Sequence, residues 1–546
     1  MKFPDLRSQK TLLAFFAFLL FILLVKLKTF YNYYDEGFAM TGAMRVVNGE
    51  IPYRDFWGLY PPGQFYALAA VMKIFGPNLL YARLYDTLVR FLMGIAIFQI
   101  ARRLASLKLA YWIALVSVMM LASLGFYAYA VFPALALSLW AYAFCLAYLE
   151  DGRPAHLYWT GAALGLSALF RWDIAVYTAA GLLVGVYLYL LDQRRHEAAG
   201  AFRFSLLFAP FGTLWRILAP LFLIALPLYG LVGLFAGWRN LYEQLFYFPA
   251  VALHSVRWLP YPALIPAIQT FRFYDVAIMY IEPPSEDWLR FYLPLLTIGL
   301  GLVGLVVAAV RTRLHLRRGH FVILSLALSG GLLFNQALSR YDQIHVAPAS
   351  IVTFLAAAAF LGQFAPAGTR TWLRATFWTL FIALSVLYFN PALKELLNTL
   401  DSAAPWGCYS ANPRAGCAVL AEDEAKAVDY IQAVTTPSDA IYVGNQKHDR
   451  IFVNDAGFYF LAGRPAGTRY DELHPGVATT LPVQTEIAAQ LEARRVEWAV
   501  LVKIWESTEP NGSAVSSGVT YLDDYLHAHF AFVAEFGNYQ VWQRAR

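Results

Sequence analysis

Long apolar runs alternate with short polar segments over most of the chain. About eleven runs approach the roughly 20 residues that a helix needs to cross a bilayer. Their approximate limits are 11–30, 85–104, 109–127, 130–149, 156–170, 174–192, 217–236, 291–310, 320–338, 346–363 and 372–389. The pattern predicts a polytopic α-helical membrane protein.

Composition agrees with this class. Of the 546 residues, 59% are apolar and 14% are Asp, Glu, Lys or Arg, against about 25% charged residues in soluble domains. The net charge of +6 does not indicate a nucleic-acid partner, because the basic residues lie mainly in short loops between apolar runs. Basic loops of this kind orient membrane helices.

The basic residues mark alternate loops, and this sets the orientation. One side of the membrane receives Lys2, Arg7 and Lys10; Arg102, Arg103 and Lys108; Arg153; Arg194, Arg195, Arg203 and Arg216; Arg311, Arg313, Arg317 and Arg318; Arg370 and Arg374. That side is expected to be cytoplasmic. We therefore expect a cytoplasmic N-terminus in the cytoplasmic (inner) membrane. The first run is not expected to be a cleaved signal, because it is long and lacks a small-residue cleavage site.

Two long segments fall on the outer side, 31–84 and 237–290. The first predicts short surface helices over Gly37–Val47 and Gln64–Phe75, separated by the Tyr60-Pro61-Pro62-Gly63 turn. The second is rich in aromatic residues and too apolar to be disordered. Loops of this length are usually functional, so residues 1–390 are read as one membrane module with two outer amphipathic loops.

The last part of the chain has a different composition. After a linker over 391–420, residues 421–546 predict a small α/β domain outside the membrane. Its predicted elements are a helix over Ala421–Val434, a strand over Asp439–Gly444, a helix over Gln484–Arg494, a strand over Trp498–Val502 and a hairpin over Phe530–Trp542. Cys408 and Cys417 lie on the outer side and are expected to pair, whereas Cys145 lies within a span.

The stretch Tyr33-Tyr34-Asp35-Glu36-Gly37 follows the first apolar run directly. Carboxylates are costly in hydrocarbon. Two of them where a helix leaves the membrane indicate either the beginning of a solvent-exposed loop or a functional site. Two further polar corners share the outer face, Arg171-Trp172-Asp173 and Arg340-Tyr341-Asp342-Gln343-Ile344-His345. Together they favour a common polar site, and arginines at headgroup depth suit a phosphate.

This set of residues fits one kind of chemistry. A sugar linked through phosphate to a membrane lipid already has a good leaving group, which positive charge stabilises. The acceptor hydroxyl must lose a proton, and one carboxylate can take it. No metal-ligand motif, phosphate-binding loop or nucleophile elbow occurs in the sequence. Asp35 with Glu36 and another outer carboxylate could still hold Mg²⁺ or Mn²⁺.

The motifs of the first outer segment resemble those of a known family. Tyr34-Asp35-Glu36-Gly37, Asn48-Gly49-Glu50-Ile51-Pro52-Tyr53-Arg54-Asp55 and Tyr60-Pro61-Pro62-Gly63 look like the GT-C glycosyltransferases. More narrowly, the chain is similar to the bacterial relatives of dolichyl-phosphate-mannose protein mannosyltransferases and of the lipid A aminoarabinose transferase. The resemblance covers residues 10–390.

This resemblance implies an inverting transferase that moves a sugar from a polyprenyl-phosphate donor to a glycan, lipid or protein acceptor. It implies Asp35 as the general base, with Glu36 as helper or substitute. The second outer loop, around 125–132, lacks the acid that many members carry, which leaves Asp173, Asp55 or Asp86 as substitutes. The expected donor-phosphate ligands are Arg171, Arg340, His345 and Arg54, and the expected supporting residues are Asp173, Asp342, Asp55 and Tyr60.

Two other functions remain open from the sequence. A transporter or flippase of a lipid-linked glycan often shows paired repeats, which are not found here. A non-catalytic envelope-assembly protein would use the outer domain to bind polymer and would leave the polar corners without a role.

Overall fold

The fold is seen in a computed structural model that describes residues 6–125, 127–197, 207–264, 268–273, 276–281, 286–311, 317–364, 371–401, 410–504 and 507–545. All eleven predicted spans coincide with helices. These are α1 (Leu6–Val25), α4 (Leu79–Leu104), α5 (Leu107–Ser123), α6 (Val131–Asp151), α7 (Pro154–Phe170), α8 (Trp172–Glu197), α9 (Phe211–Ala236), α12 (Glu286–Arg311), α13 (Arg318–Leu333), α15 (Gln343–Phe364) and α16 (Thr371–Asp401).

Seven helices among the described residues are long and apolar enough to cross a membrane. The other four predicted spans, α1, α5, α7 and α16, are shorter or less continuously apolar, so the expected number of about eleven is not reached by this measure. The chain is nevertheless a multi-pass membrane protein of the predicted class.

Close helix contacts hold the membrane part together. A Cβ on Gly161 of α7 would overlap the carbonyl oxygen of Ile217 on α9, and one on Gly181 of α8 would overlap Ser329 of α13. Small residues at such crossings let helix backbones approach, which is how helices associate in a bilayer. The exposed faces of α9 and α12 are apolar, as lipid-facing surfaces are.

The first outer segment forms two short helices, α2 (Asp35–Val47) and α3 (Gly63–Phe75), close to their predicted limits. Helix α2 is almost entirely buried, because the outer domain covers it. Thr41 donates to the carbonyl of Ala456 at 2.7 Å, and a Cβ on Gly37 would lie 2.5 Å from the backbone nitrogen of Gly457. The helix is therefore a layer between the membrane module and the outer domain.

The second outer segment is more varied than the sequence indicates. It contains α10 (Trp238–Tyr242), a π-helix (Glu243–Ala252), α11 (Leu253–Arg257) and an antiparallel hairpin of β1 (Ile268–Phe273) and β2 (Val276–Ile281). A short helix, α14 (Asn335–Ser339), precedes the later outer corner. These elements bring Arg257 and Arg340 toward the same region.

The outer domain is built on a four-stranded sheet with the order β3-β4-β6-β5. Its elements are α17 (Glu422–Val434), β3 (Ile441–Asn445), α18 (Phe458–Ala462), α19 (Leu481–Ala493), β4 (Trp498–Val502), α20 (Tyr521–His529), β5 (Phe530–Phe536) and β6 (Tyr539–Arg544). Strands β3 and β4 are parallel, and the other pairs are antiparallel. The small α/β domain is confirmed, although α18 and α20 were not predicted.

Two details concern the linker. Helix α16 continues to Asp401, so the first part of the predicted 391–420 linker is helical. Cys417 is disulfide-bonded and Cys145 is free. Cys408, the partner that the sequence suggests, lies outside the described residues.

Candidate active site

Asp35 is the first residue of α2, and the preceding turn fixes its side chain. Asn32 Oδ1 accepts the backbone N–H groups of Tyr34 at 3.1 Å and Asp35 at 2.8 Å. Asn32 Nδ2 donates to Asp35 Oδ2 at 3.2 Å. An Asn at this position satisfies N–H groups that have no partner within the helix. The carboxylate is thus held in one orientation, yet it remains partly exposed.

Asp35 is an unusually basic carboxylate. Burial raises the pKa of Asp35 to about 6, and the charge of Asp342 adds to the rise. The hydrogen bond from Asn32 and the positive charges of Arg257 and His345 act in the opposite direction. A carboxylate with a pKa close to neutral can take a proton efficiently at physiological pH.

A second group of charged residues near Asp35 lies at the corner between α14 and α15. Asp342 Oδ1 lies 2.6 Å from His345 Nδ1, and Asp342 Oδ2 accepts from Arg340 Nε at 3.1 Å. Burial alone would raise the pKa of Asp342, but His345 and Arg340 outweigh it and hold the pKa at about 2. The ionised carboxylate requires a proton on His345 Nδ1. Its Nε2 has no hydrogen-bond partner in the part of the chain that the structure describes.

A third group of polar residues lies at the corner between α7 and α8. Arg171 donates to Asp173 through Nε at 2.9 Å and Nη2 at 2.7 Å, and Gln336 Nε2 donates to the same carboxylate at 2.8 Å. Burial acts to lower the pKa of Arg171, but Asp173 outweighs it and the pKa rises. Arg171 is therefore a permanent cation held in one place by a bidentate pair.

Tyr60 connects this corner to the Asp35 helix. Its ring stacks on Phe38 of α2 with centroids 5.1 Å apart, and the Arg171 guanidinium lies 5.6 Å from the ring centroid. Its hydroxyl is 2.9 Å from that of Tyr129. The fields of Asp35 and Arg171 both reach these two hydroxyls, so the two corners and Asp35 form one polar cluster.

Arg257, at the end of α11, adds a cation. Its Nη1 donates to the carbonyl of Phe452 at 3.1 Å, and its guanidinium lies 4.6 Å from the centroid of the Phe452 ring. The nearest carboxylate oxygen is Glu509 Oε2, at 4.0 Å. Burial and the charge of Arg340 lower the pKa of Arg257. This arginine is the least neutralised of the three in the cluster.

The outer domain contributes an uncharged acid. Glu472 is buried, and its Oε1 accepts from the Tyr34 hydroxyl at 2.8 Å. Burial raises the pKa of Glu472 to about 8, and Asp471 and Asp35 add to the rise. Glu472 is therefore protonated near neutral pH. It helps to hold the residue next to Asp35 without adding negative charge.

Glu36 is placed differently from its neighbour. Arg83 of α4 donates to Glu36 Oε1 and Oε2, each at 2.8 Å, and both side chains are fully buried. Arg83 also donates to the backbone carbonyls of Leu27 and Thr29. Glu36 thus fastens α2 to α4, and the structure does not bring it into the cluster as a helper of Asp35.

The Arg54–Asp55 pair also lies outside the cluster. Arg54 donates to Asp55 through Nε and Nη2, each at 2.8 Å, and its side chain is half exposed. Asp55 in turn accepts the backbone N–H of Ile51 at 2.7 Å. The two residues stabilise a surface turn, so the structure does not place Arg54 with the other expected phosphate ligands or Asp55 with the supporting residues.

Asp86 and a divalent metal ion are the remaining candidates from the sequence. Asp86 pairs with Arg90 at 2.6 Å within α4, buried away from the cluster. No group of three or more His, Cys, Asp or Glu side chains suited to a metal occurs among the described residues. The positive charge in the cluster comes from Arg171, Arg257, Arg340 and, when protonated, His345.

Comparisons with known proteins bear on this arrangement. Residues 60–209 match the family described as dolichyl-phosphate-mannose-protein mannosyltransferase. The structure is similar to crystal structures of ArnT from Cupriavidus metallidurans, bound to undecaprenyl phosphate (14% identity, 98% of each chain covered, TM-score 0.56) and in the apo state (14%, 98% of each, 0.55). It is also similar to the archaeal oligosaccharyltransferase AglB from Archaeoglobus fulgidus in complex with an inhibitory peptide and a dolichol-phosphate (13%, 99% of this chain and 75% of that chain, 0.50). The chain has the GT-C fold. No match is found among curated protein sequences.

In this GT-C protein the predicted cluster was incomplete. Arg257 was visible in the sequence as an arginine within the aromatic outer segment, but nothing there separated it from other outer arginines. Glu472 and Glu509 come from the outer domain, more than 160 residues from the membrane residues that they contact. Their contacts depend on tertiary packing, and no local sequence pattern predicts them.

Proposed function

We propose that this protein is an inverting glycosyltransferase that moves a sugar from a polyprenyl-phosphate donor to an acceptor hydroxyl at the outer face of the cytoplasmic membrane. The observation that carries the proposal is the polar cluster around Asp35, in which a carboxylate with a pKa of about 6 lies within electrostatic reach of Arg257 and His345. The GT-C fold supports it, because ArnT is bound to undecaprenyl phosphate and AglB to a dolichol-phosphate in similar structures.

The reaction would be a single displacement. The acceptor oxygen attacks the anomeric carbon of the sugar while the bond from that carbon to the phosphate oxygen breaks. The acceptor proton passes to Asp35, and the bond electrons leave with the polyprenyl phosphate. Because attack comes from the face opposite the phosphate, the anomeric configuration inverts. Proton removal by a positioned carboxylate contributes about 10²–10⁴-fold to such a step.

The departing phosphate needs fixed positive charge rather than an acid. Arg257 is the best suited ligand, because its nearest carboxylate oxygen is 4.0 Å away. Arg171 uses Nε and Nη2 on Asp173 and keeps Nη1 for a further bond. His345, held through Nδ1 by Asp342, would donate from Nε2 when protonated. Arg340 is the fourth candidate, but carboxylates now occupy its N–H groups.

The proposed topology places the N-terminus in the cytoplasm and the outer domain outside. Donor and acceptor would then meet at the outer edge of the bilayer, where the polyprenyl chain remains in lipid and the phosphate reaches the arginines. Helices α9 and α12 expose apolar faces that suit contact with lipid. The acceptor would be a glycan, lipid or protein of the cell envelope.

A transfer assay with purified protein in lipid nanodiscs tests the proposal. Undecaprenyl-phosphate-linked sugars, each radiolabelled in the sugar, would be supplied with envelope extract as the acceptor source. Asp35→Asn is expected to lower the transfer rate by about 10²–10⁴-fold while the protein remains folded. Asp524→Asn, a change of the same type at an exposed position of α20, serves as the control. Transfer by Asp35→Asn at the wild-type rate would exclude Asp35 as the base.

A further inference from the structure

A carboxylate of the outer domain, Glu509, contacts two arginines of the cluster, Arg340 and Arg257. Glu509 Oε1 accepts from Arg340 Nη2 at 2.6 Å, and Glu509 Oε2 accepts from Arg340 Nη1 at 2.9 Å. The same Oε2 lies 4.0 Å from Arg257 Nη1. Glu509 is therefore shared by the two arginines that approach the site from the outer side.

The loop that carries Glu509 is itself fitted to this position. Asn511 Nδ2 donates to Glu509 Oε2 at 3.0 Å and to the carbonyl of Trp258 at 2.7 Å. The Ser507 hydroxyl lies 3.3 Å from the backbone nitrogen of Glu509 and accepts from it. A Cβ on Gly512 would lie 2.9 Å from the carbonyl oxygen of Ser255. Residues 507–515, called here the Glu509 loop, thus lie directly on α11 beside Arg257.

Charge balance gives this contact a consequence. Arg257 and Arg340 bring two positive charges, and Asp342 and Glu509 bring two negative charges. Burial acts to raise the pKa of Glu509, but its hydrogen bonds with Arg340 and Asn511 outweigh it and the pKa falls, so the carboxylate stays ionised. A phosphate that entered without displacing Glu509 would add negative charge beside two carboxylates and Asp35.

Geometry points the same way. The bidentate pair of Glu509 with Arg340 uses both Nη atoms of the guanidinium. Two phosphate oxygens bind a guanidinium in the same forked manner as the two oxygens of a carboxylate. The Glu509 carboxylate and a phosphate therefore cannot bind these N–H groups of Arg340 at the same time.

We infer that Glu509 is an internal competitor for the lipid phosphate, and that donor binding exchanges this carboxylate for phosphate on Arg340 and Arg257. The inference rests on the proposed function and adds a control of donor affinity by the outer domain. When the phosphate enters, the Glu509 loop loses its ionic contact with the membrane module. Donor binding is thereby coupled to the position of the outer-domain loop.

Binding of sugar-free undecaprenyl phosphate to the full-length protein in nanodiscs tests this exchange. Tryptophan fluorescence titration would compare the wild type with Glu509→Gln, which keeps the side-chain shape but removes the charge. The variant is expected to bind the lipid at least about tenfold more tightly, since it replaces a charged hydrogen bond by a neutral one. Glu492→Gln is the matched control, because Glu492 pairs with Arg544 at 2.9 Å on the exposed side of the same domain. Its affinity should equal that of the wild type.

The sign of the effect separates the possible outcomes. Weaker or unchanged binding by Glu509→Gln, with normal binding by the wild type, would overturn the inference and leave the donor site standing. Failure of folded wild type and variant alike to bind the lipid would overturn the donor site as well. Hydrogen exchange in the wild type needs no variant: amides of residues 507–515 should exchange faster once the lipid is added, and an unchanged rate in protein with bound lipid would refute the exchange.

Discussion

Replacement of Asp35 by Asn should stabilise the protein while it slows transfer. A carboxyl whose pKa rises from its ordinary 3.8 to about 6 on folding costs about 3 kcal/mol of stability when it is ionised. Solvent screens part of this cost because the side chain is partly exposed. The ionised Asp35 at the N-terminus of α2 also stabilises the folded state by about 0.3–1 kcal/mol, which Asn would lose. The net gain expected for Asp35→Asn is about 1–3 kcal/mol near neutral pH.

The gain must depend on pH in one direction. The folded state holds the Asp35 proton more tightly than the unfolded state does. The wild type therefore bears no cost well below pH 3.8, where the carboxyl is protonated in both states. The cost grows as the pH rises through the interval from 3.8 to about 6 and is complete above it. Asn does not titrate, so the difference between the variant and the wild type should follow the same course.

Thermal unfolding in nanodiscs, followed by tryptophan fluorescence at about pH 4 and about pH 7.5, measures this difference. Asp35→Asn should raise the apparent melting temperature by about 1–3 °C at the higher pH and change it little at the lower. Asp55→Asn should act in the opposite direction, because Arg54 lowers the pKa of Asp55 and its charge is stabilising. A loss of stability in Asp35→Asn at about pH 7.5, or a gain that is equal at both pH values, would refute the reasoning.

Two further predictions concern the same acidic pair. Glu36→Gln leaves Arg83 buried without a charged partner and should destabilise the protein by about 3–5 kcal/mol. The variant should lose its monodisperse peak in size-exclusion chromatography after mild heating. A variant as heat-stable as the wild type would contradict the structural role of Glu36. The kcat/KM of transfer should fall about tenfold for each pH unit below the pKa of Asp35, about 6; a flat profile between about pH 4.5 and 7.5 would show that another group takes the proton.

The place of Asp35 in the polar cluster could be predicted from the sequence because its signal is local. It follows the first apolar run, and the basic loops assign its side of the membrane. The pairing of Glu36 with Arg83 could not be predicted. Adjacent helical residues point about 100° apart, and each of the two acids faces a polar partner, so the sequence does not show which acid joins the cluster. Only the packing of α2 against α4 shows that Arg83 meets Glu36.

The arginines divide in the same way. Arg171 and Arg340 lie in abrupt corners between apolar runs, and this predicts that both lie on the outer face. Arg54 shares that face, yet its nearest carboxylate is the next residue and the two pair locally. Sequence position gives depth in the membrane, whereas the choice between a local and a distant partner depends on distances in the folded chain.

The contact between α2 and the outer domain also sets a timetable for folding. Thr41 and Ala456 are 415 residues apart, and Arg45 and Asp471 are 426 residues apart. At about 5–20 residues per second, synthesis must continue for roughly 20–80 s after α2 is made before these partners exist. During that interval Arg45 lacks Asp471, and Thr41 and Gly37 lack the outer-domain backbone on which they pack. Asp35 therefore acquires its final surroundings only after the outer domain has been made.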